Sequence, residues 1–478
     1  MTLSLSRLLF AAFSSDRTTR LHARFRTKTS GGTEVATRPS YTWHELARPQ
    51  THGYDLQGVA WLDSWCFASA ADEKVVRIFT APASFVQTVK AVGGLDGIDA
   101  KAAASLARPT SAPIGASVPP LGLSNRAIFD DAESVRDEPN ESGQPIGTAH
   151  TSVAGVFTSP PNEDELHVAT LWPELDKLYG HGYELFALGA SLPPPSSGQL
   201  GSSSAARRLV ASACKANSAE HAVIRLHDGT HTQQPSSGPD VSSASAASAS
   251  WKATAELPGH KLSVTRIRFH PGSPARGIEP NRLVLSAGRD RSWHLHQLVP
   301  PLSTVTSTSS GALSKATEEW RSAASQQAHA RIVWDCAWSN DGALFATASR
   351  DKTVKMWALR VPDAASSEGK ATEQIFVDLV DSLKLDTPCT AVAFGPGDVL
   401  AVGTERGSVE LFQASEDEAG RRRWASFETS SILTHAHSEA VQELAFRPGH
   451  EEAGVLPYLA SAADDGAVRI FRLAVTSQ

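Results

Sequence analysis

Cysteine is scarce in these 478 residues: Cys66, Cys214, Cys336 and Cys389 stand far apart, each alone. No CxxC pair or close Cys/His grouping occurs, which argues against zinc and iron–sulfur centres and points to a reducing compartment. Long apolar runs are missing too, and without about 18 consecutive apolar residues no membrane-spanning helix is expected. Neither sign of charge dominates. The 44 Lys and Arg against 51 Asp and Glu give −7, a poor balance for a protein built chiefly around nucleic acid, although local basic patches are allowed. A glycine-rich phosphate loop is also lacking, because "GHGYE" at 180–184 has no further glycine where such a loop needs one.

What the chain has is repetition. "HGYDL" at 52–56 returns as "HGYEL" at 181–185, and the echo continues around His260, His329 and His437. Each His is followed by an apolar residue about four positions on: Leu56, Leu185, Val264, Val333 and Val441. Nine positions on stand Trp61, Phe269, Trp338 and Phe446, with Ala190 in the fifth copy. Stretches such as "VTRIRF" and "VQELAF" alternate with period two, as a strand with one buried face does. A second signature follows: "FATASRDKTVKMW" (345–357), "VLSAGRDRSWHLH" (284–296), "LASAADDGAVRIF" (459–471), "FASAADEKVVRIF" (67–79) and "AAFSSDRTTRLH" (11–22). Each reads as a strand of small residues, an acidic tight turn, then an alternating strand. "AVGTERGSVELF" (401–412) is a weaker copy with Arg406 in the turn, and 209–227 is a copy broken by an insertion.

These residues resemble the WD-repeat family of β-propellers, whose unit is about 40–45 residues in four strands. The resemblance implies an all-β fold in which twisted sheets stack around an axis and cover one another. Within a blade, His, Ser or Thr, the turn Asp and a strand-end Trp can form one buried hydrogen-bonded chain, each bond worth about 1 kcal/mol net. His329, Thr347, Asp351 and Trp357 supply the full set; His260, Ser286 and Asp290 supply three members with His296 in the Trp place; His437, Ser461 and Asp465 end on Phe471. The recurring His is therefore read as structural, not as a metal ligand or a catalytic base.

Residues 1–30 are rich in Ser and Arg with one acid, Asp16, as a mitochondrial leader would be. The blade signature at 14–22 outweighs that reading, although no room is left before it for a first inner strand. Ser/Ala/Gly-rich stretches near 198–206, 229–250, 300–319 and 362–374 cannot bury enough apolar surface to offset ordering entropy, so they are expected to be loops between strands. Between 101 and 164 the one credible strand is "PPLGLSNRAIF" (119–129).

A closer resemblance lies in "TWHELARPQTHGYDL" (42–56), "SAADEKVVRIFTAP" (69–82), "LGLSNRA" (121–127), "PPNEDELHVATLWPELDKLYGHGYELFAL" (160–188) and "SRDKTVKMW" (349–357). These stretches are similar to the family of second subunits of the Elongator complex. Members of that family have two tandem seven-bladed propellers. Carried onto this chain, the resemblance implies an N-terminally truncated arrangement. Residues 1–92 would hold the last blades of a first propeller, 93–117 a linker, and 118–478 a second, about seven-bladed propeller. The implied role is non-catalytic, with no cofactor: a cytoplasmic scaffold, with a nuclear pool left open. It would hold the large scaffold subunit and the catalytic subunit of a complex that modifies wobble uridines in tRNA, with tRNA itself as a candidate contact. Another WD-repeat adaptor, such as a ubiquitin-ligase receptor, is the alternative. Arg289, Arg291, Arg350, Lys352 and Arg406 beside the tight turns form a candidate rim facing a partner subunit or tRNA backbone.

Overall fold

The computed structural model describes residues 2–5, 10–13, 16–26, 41–93, 115–117, 128–130, 156–191, 208–229, 251–299, 319–360, 375–416, 422–426, 431–447 and 458–473. Their strands form seven antiparallel sheets, six of four strands and one of three, besides a small two-stranded pair. The inner strands are Thr2–Leu5, Leu56–Asp63, Leu185–Ala190, Val264–Phe269, Val333–Trp338, Cys389–Phe394 and Val441–Phe446. Each lies against the next, and the first lies against the last. The ring is closed. It is a seven-bladed β-propeller, numbered here blades 1 to 7 in that order.

The strand chemistry follows from this stacking. The second strands of blades 2 to 6 (Cys66–Ala71, Leu209–Cys214, Leu283–Gly288, Leu344–Ser349 and Val399–Thr404) are buried at every residue, because a neighbouring blade covers each face. Their Ala, Ser and Gly content lets the sheets approach. At Gly189, on the inner strand of blade 3, an added Cβ would stand 2.7 Å from the Ile267 carbonyl of blade 4, so no larger residue fits. The outer strands, by contrast, are exposed on alternate or most residues, as in Glu319–Gln327 and Phe376–Lys384.

The structure differs from a division at 93–117 into two propellers. Blade 1 is a full sheet of Thr2–Leu5, Phe10–Phe13, Thr18–Arg26 and Tyr41–Thr51, with its inner strand between those of blades 7 and 2. The missing room for an inner strand is supplied by Thr2–Leu5 itself. Blade 2 consists of Leu56–Asp63, Cys66–Ala71 and Val76–Thr80, and draws its outer strand, Glu174–Leu178, from beyond the supposed linker. Glu174 pairs with Phe79 and Leu178 with Val76. A boundary at 93–117 would cut a sheet. The reason is physical: closing a loop costs free energy that grows only slowly with its length, so a long excursion between two paired strands is tolerated. Of the candidate strand at 119–129, Ile128 and Phe129 pair with Ser117 and Ala116, and 119–127 lie outside the described residues. The Ser/Ala-rich stretches also lie almost wholly outside them.

Blade 7 has three strands among the described residues, Val441–Phe446, Tyr458–Ala463 and Val468–Arg472. No helix among the described residues is long and apolar enough to cross a membrane. All four cysteines are free and buried, and burial pushes the thiols of Cys336 and Cys389 up to about 12, which leaves them unreactive.

Candidate functional site

The recurring histidines come first. In blade 5 the Trp357 indole N–H donates to the Thr347 hydroxyl (3.1 Å), and Thr347 lies 2.8 Å from Nε2 of His329. Nδ1 of His329 is 3.0 Å from the Asp351 carboxylate. With Thr347 donating to Nε2 and Nδ1–H donating to Asp351, every donor has an acceptor and the imidazole is neutral. Asp351 also accepts from the Ala330 N–H and from the Thr353 N–H and hydroxyl. Blade 4 joins His260 to Ser286 (2.9 Å) and Asp290 (3.0 Å), and blade 7 joins His437 to Ser461 (2.7 Å) and Asp465 (3.0 Å). His296, in the Trp place, bonds the Pro258 carbonyl instead of Ser286.

Two further blades carry variants that the motif comparison did not pick out. In blade 2, His52 bonds Glu73 (2.8 Å), while Ser69 is taken by Gln50 (2.8 Å). Glu73 occupies the Asp351 place when 67–79 is laid over 345–357, so the signal was present. In blade 3, His181 bonds Ser212 (2.8 Å).

The charge states follow from burial. Desolvation, with help from the Arg225 charge, holds His181 near 4 instead of 6.5. Desolvation also lowers His270 to about 4; it donates to the Gly342 carbonyl and accepts from the Gly272 N–H, so the neutral tautomer is fully used. His329 and His437 are lowered by burial as well. Asp465 is held near 2: burial opposes ionisation, but hydrogen bonds from the Ala467 N–H and His437 outweigh it.

A pH dependence follows. His181 and His270 stay neutral in the fold while the unfolded chain protonates near 6.5, so their contribution is full above about 6.5 and is lost as pH falls toward 4. The Asp465 contribution is present above about 4 and is lost only on further acidification toward 2. The melting temperature should therefore drop by several degrees between pH 7.5 and pH 5. A flat profile over that range would contradict neutral burial of the imidazoles.

Asp351→Ala should cost about 2 kcal/mol or more, since it strips a buried imidazole of its acceptor. Asp341 is the comparison. Although exposed, it accepts from the Ser339 hydroxyl (2.6 Å) and the Ala343 N–H (3.0 Å), so Asp341→Ala should cost about 1 kcal/mol. Chemical denaturation of the two variants checks the order.

The tight turns ring one rim. The carbonyls of Arg17, Arg291, Lys352 and Gly407 accept from the N–H groups of His52, His329, Leu385 and His437, each in the next blade. Arg17, Arg291 and Lys352 take left-handed φ values of 68°, 70° and 68°, the place that Gly407 and Gly466 fill in blades 6 and 7. Arg289, Arg291, Arg350, Lys352 and Arg406 are all exposed on three consecutive blades, and among the described residues none forms an ion pair. In blade 6, where Arg406 replaces the acid, Thr404 and Ser408 bond each other (2.7 Å).

Two constellations were not foreseen. Around the axis, Nε of Arg266 in blade 4 lies 2.8 Å from Asp335 in blade 5, and its Nη1 lies 2.7 Å from Glu443 in blade 7. Arg268 reaches Glu443 at 2.8 Å, and Asp335 accepts from the Val392 N–H of blade 6 (3.0 Å). Three blades are thereby tied by charge across the ring, and a fourth by a backbone hydrogen bond. The second is a junction between blade 1 and the segment leading into the outer strand of blade 2. The Arg48 N–H donates to the Thr170 hydroxyl (2.9 Å), the Trp172 N–H to the Pro49 carbonyl (3.0 Å), and the Arg48 guanidinium pairs with Glu45 and Glu163. "ARPQ" and "TLWPE" are thus two halves of one contact.

Comparison with known proteins agrees with this architecture. Residues 320–358, the outer strand of blade 4 through the third strand of blade 5, match the family model "WD domain, G-beta repeat". Elongator complex protein 2 of Danio rerio is 33% identical over 488 residues, covering 96% of this chain and 51% of the relative. That of Drosophila melanogaster is 36% identical over 97% of this chain and 49% of its own length. Along nearly all of its length the chain is similar to the Elongator complex protein 2 family. The Saccharomyces cerevisiae protein of that name is 31% identical over 88% of the chain and 47% of its own length, so the chain spans about half the length of the curated relatives it matches. The junction of Arg48, Pro49, Thr170 and Trp172 gives "ARPQ" and "TLWPE" a structural purpose here, that of seating blades 1 and 2 together.

Proposed function

We propose that this chain acts as a non-catalytic WD-repeat scaffold in an Elongator-type assembly. In that role it holds the large scaffold subunit and the catalytic subunit for wobble-uridine modification of tRNA, in the cytoplasm. The supporting observation is the similarity along 88–97% of the chain to proteins that are named as Elongator subunits. The geometry is consistent with it: the buried His, Ser, Thr and Asp residues are consumed in blade-internal hydrogen bonds, and propeller faces are surfaces suited to holding several partners at once. Affinity purification of the tagged chain followed by mass spectrometry tests the reading. Recovery of the other Elongator subunits supports it. Recovery of a ubiquitin-ligase core in their place would overturn it in favour of a different WD-repeat adaptor.

The cationic rim refines the proposal. Five exposed cations without carboxylate partners among the described residues suit an acidic surface, either a subunit or tRNA backbone, and the planar fork of arginine pairs bidentately with either. Reversal of Arg289, Arg291, Arg350 and Lys352 to Glu should break co-purification if a subunit docks there. If tRNA docks there, the same variant should weaken tRNA binding by the assembled complex and flatten its salt dependence. Survival of both would assign the rim to solvent.

A further inference from the structure

Blade 4 departs from blades 1, 2 and 7 at one position. The residue four places after the turn carboxylate is a cation in blades 1, 2 and 7, where Arg20 pairs with Asp16, Arg77 with Glu73 and Arg469 with Asp465. Blade 4 has His294 there. Its ring lies 4.2 Å, centroid to centroid, from that of His260, and one donor atom each from His260, Asp290 and His294 falls within 4.8 Å of the others. The Ser292 hydroxyl sits among them, 2.6 Å from Asp290, 3.2 Å from Nε2 of His294 and 3.4 Å from Nδ1 of His260. Among the described residues, the ion pairs of Asp290 involve no lysine or arginine.

Two glycines let the backbone pack closely against this group. A Cβ on Gly259 would stand 2.6 Å from Nδ1 of His294, and one on Gly288 would stand 2.6 Å from Nδ1 of His260 and 2.9 Å from Asp290. Blade 5 carries Ala328 and Ser349 at these two places, and blade 7 carries Ala436 and Ala463.

We propose that blade 4 holds a zinc ion, bound by His260 through Nδ1, by His294 and by the Asp290 carboxylate, with the Ser292 hydroxyl as the fourth donor. Two imidazoles and oxygen donors suit this borderline ion, which favours four ligands in a tetrahedron. Binding requires Nδ1 of His260 to give up its proton, and the surroundings accommodate the exchange. Ser286 has no Trp partner as Thr347 has, and its hydroxyl faces the His294 carbonyl at 3.4 Å. The proton therefore moves to Nε2, which then donates to Ser286, and Ser286 donates onward to the carbonyl. The protein loses no net proton. The Lys261 N–H, 2.8 Å from Asp290, fixes the carboxylate from outside the ligand set.

The test is titration of the metal-free full chain with Zn2+ by calorimetry, and with Co2+ followed by its visible d–d absorption. One ion per chain is expected, with a tetrahedral Co2+ spectrum and a rise in melting temperature. His294→Gln should weaken binding at least ~10-fold. His294→Arg should also lose the site while keeping the fold, because arginine restores the pairing seen in blades 1, 2 and 7. Unchanged binding in folded His294→Arg, or failure of the parent chain to take up one ion, would overturn the assignment.

Discussion

Asp335→Ala should be among the most destabilising single replacements in this propeller, costing about 3–5 kcal/mol. Asp335 is 0% exposed and lies on the inner strand of blade 5, facing Arg266 and Arg268 from blade 4. Removing it leaves two guanidiniums with Glu443 as their remaining carboxylate, and leaves the Val392 N–H without its acceptor. The cost is that of stranding charge and a donor beside a buried position, not the net worth of the original pairs. For that reason Arg266→Met combined with Asp335→Leu should be less destabilising than the sum of the two single variants. Urea denaturation of the singles and the double measures both quantities. A loss below about 1 kcal/mol for Asp335→Ala would mean that water enters the axis and screens the cluster.

What could be read in advance, and what could not, divides along the range of the interaction. The His–hydroxyl–Asp chains of blades 4, 5 and 7 were legible because their members recur at fixed offsets within one sheet, as His329, Thr347 and Asp351 do. The inward face of "VTRIRF" was legible as a strand, yet nothing near Arg266 names Asp335 or Glu443 as its partners, because ring closure brings together strands far apart in the chain. The same limit produced the two-propeller expectation. Val76–Thr80 finds its outer neighbour in Glu174–Leu178, and a strand's pairing leaves no local mark of how long the intervening excursion is. Glu73 was a different kind of omission. It stood in the carboxylate place of a recognised motif, one position after the more obvious Asp72.

Trp172→Ala should cost about 3–5 kcal/mol, far more than truncating an exposed aromatic residue close by. Trp172 is 1% exposed. Its ring lies 5.1 Å from Phe85 on the helix Ala83–Ala91, 5.4 Å from Phe67 and 6.3 Å from Trp61, both in blade 2. Its N–H holds the Pro49 carbonyl of blade 1. The alanine variant keeps that backbone bond and loses the packing, so the measured cost reports the aromatic cluster alone. Tyr179→Ala is the control. Tyr179 is 65% exposed, and its carbonyl, which His227 bonds at 3.2 Å, survives the substitution; a change within about 0.5 kcal/mol is expected. Because the strand Glu174–Leu178 directly follows Trp172, its loosening should also speed amide exchange along Val76–Thr80, its partner in blade 2. Equal denaturation midpoints for the two alanine variants, with unaltered exchange in Val76–Thr80, would show that the strand pairing by itself anchors the outer edge of blade 2. The "TLWPE" half of the contact would then contribute nothing to seating it.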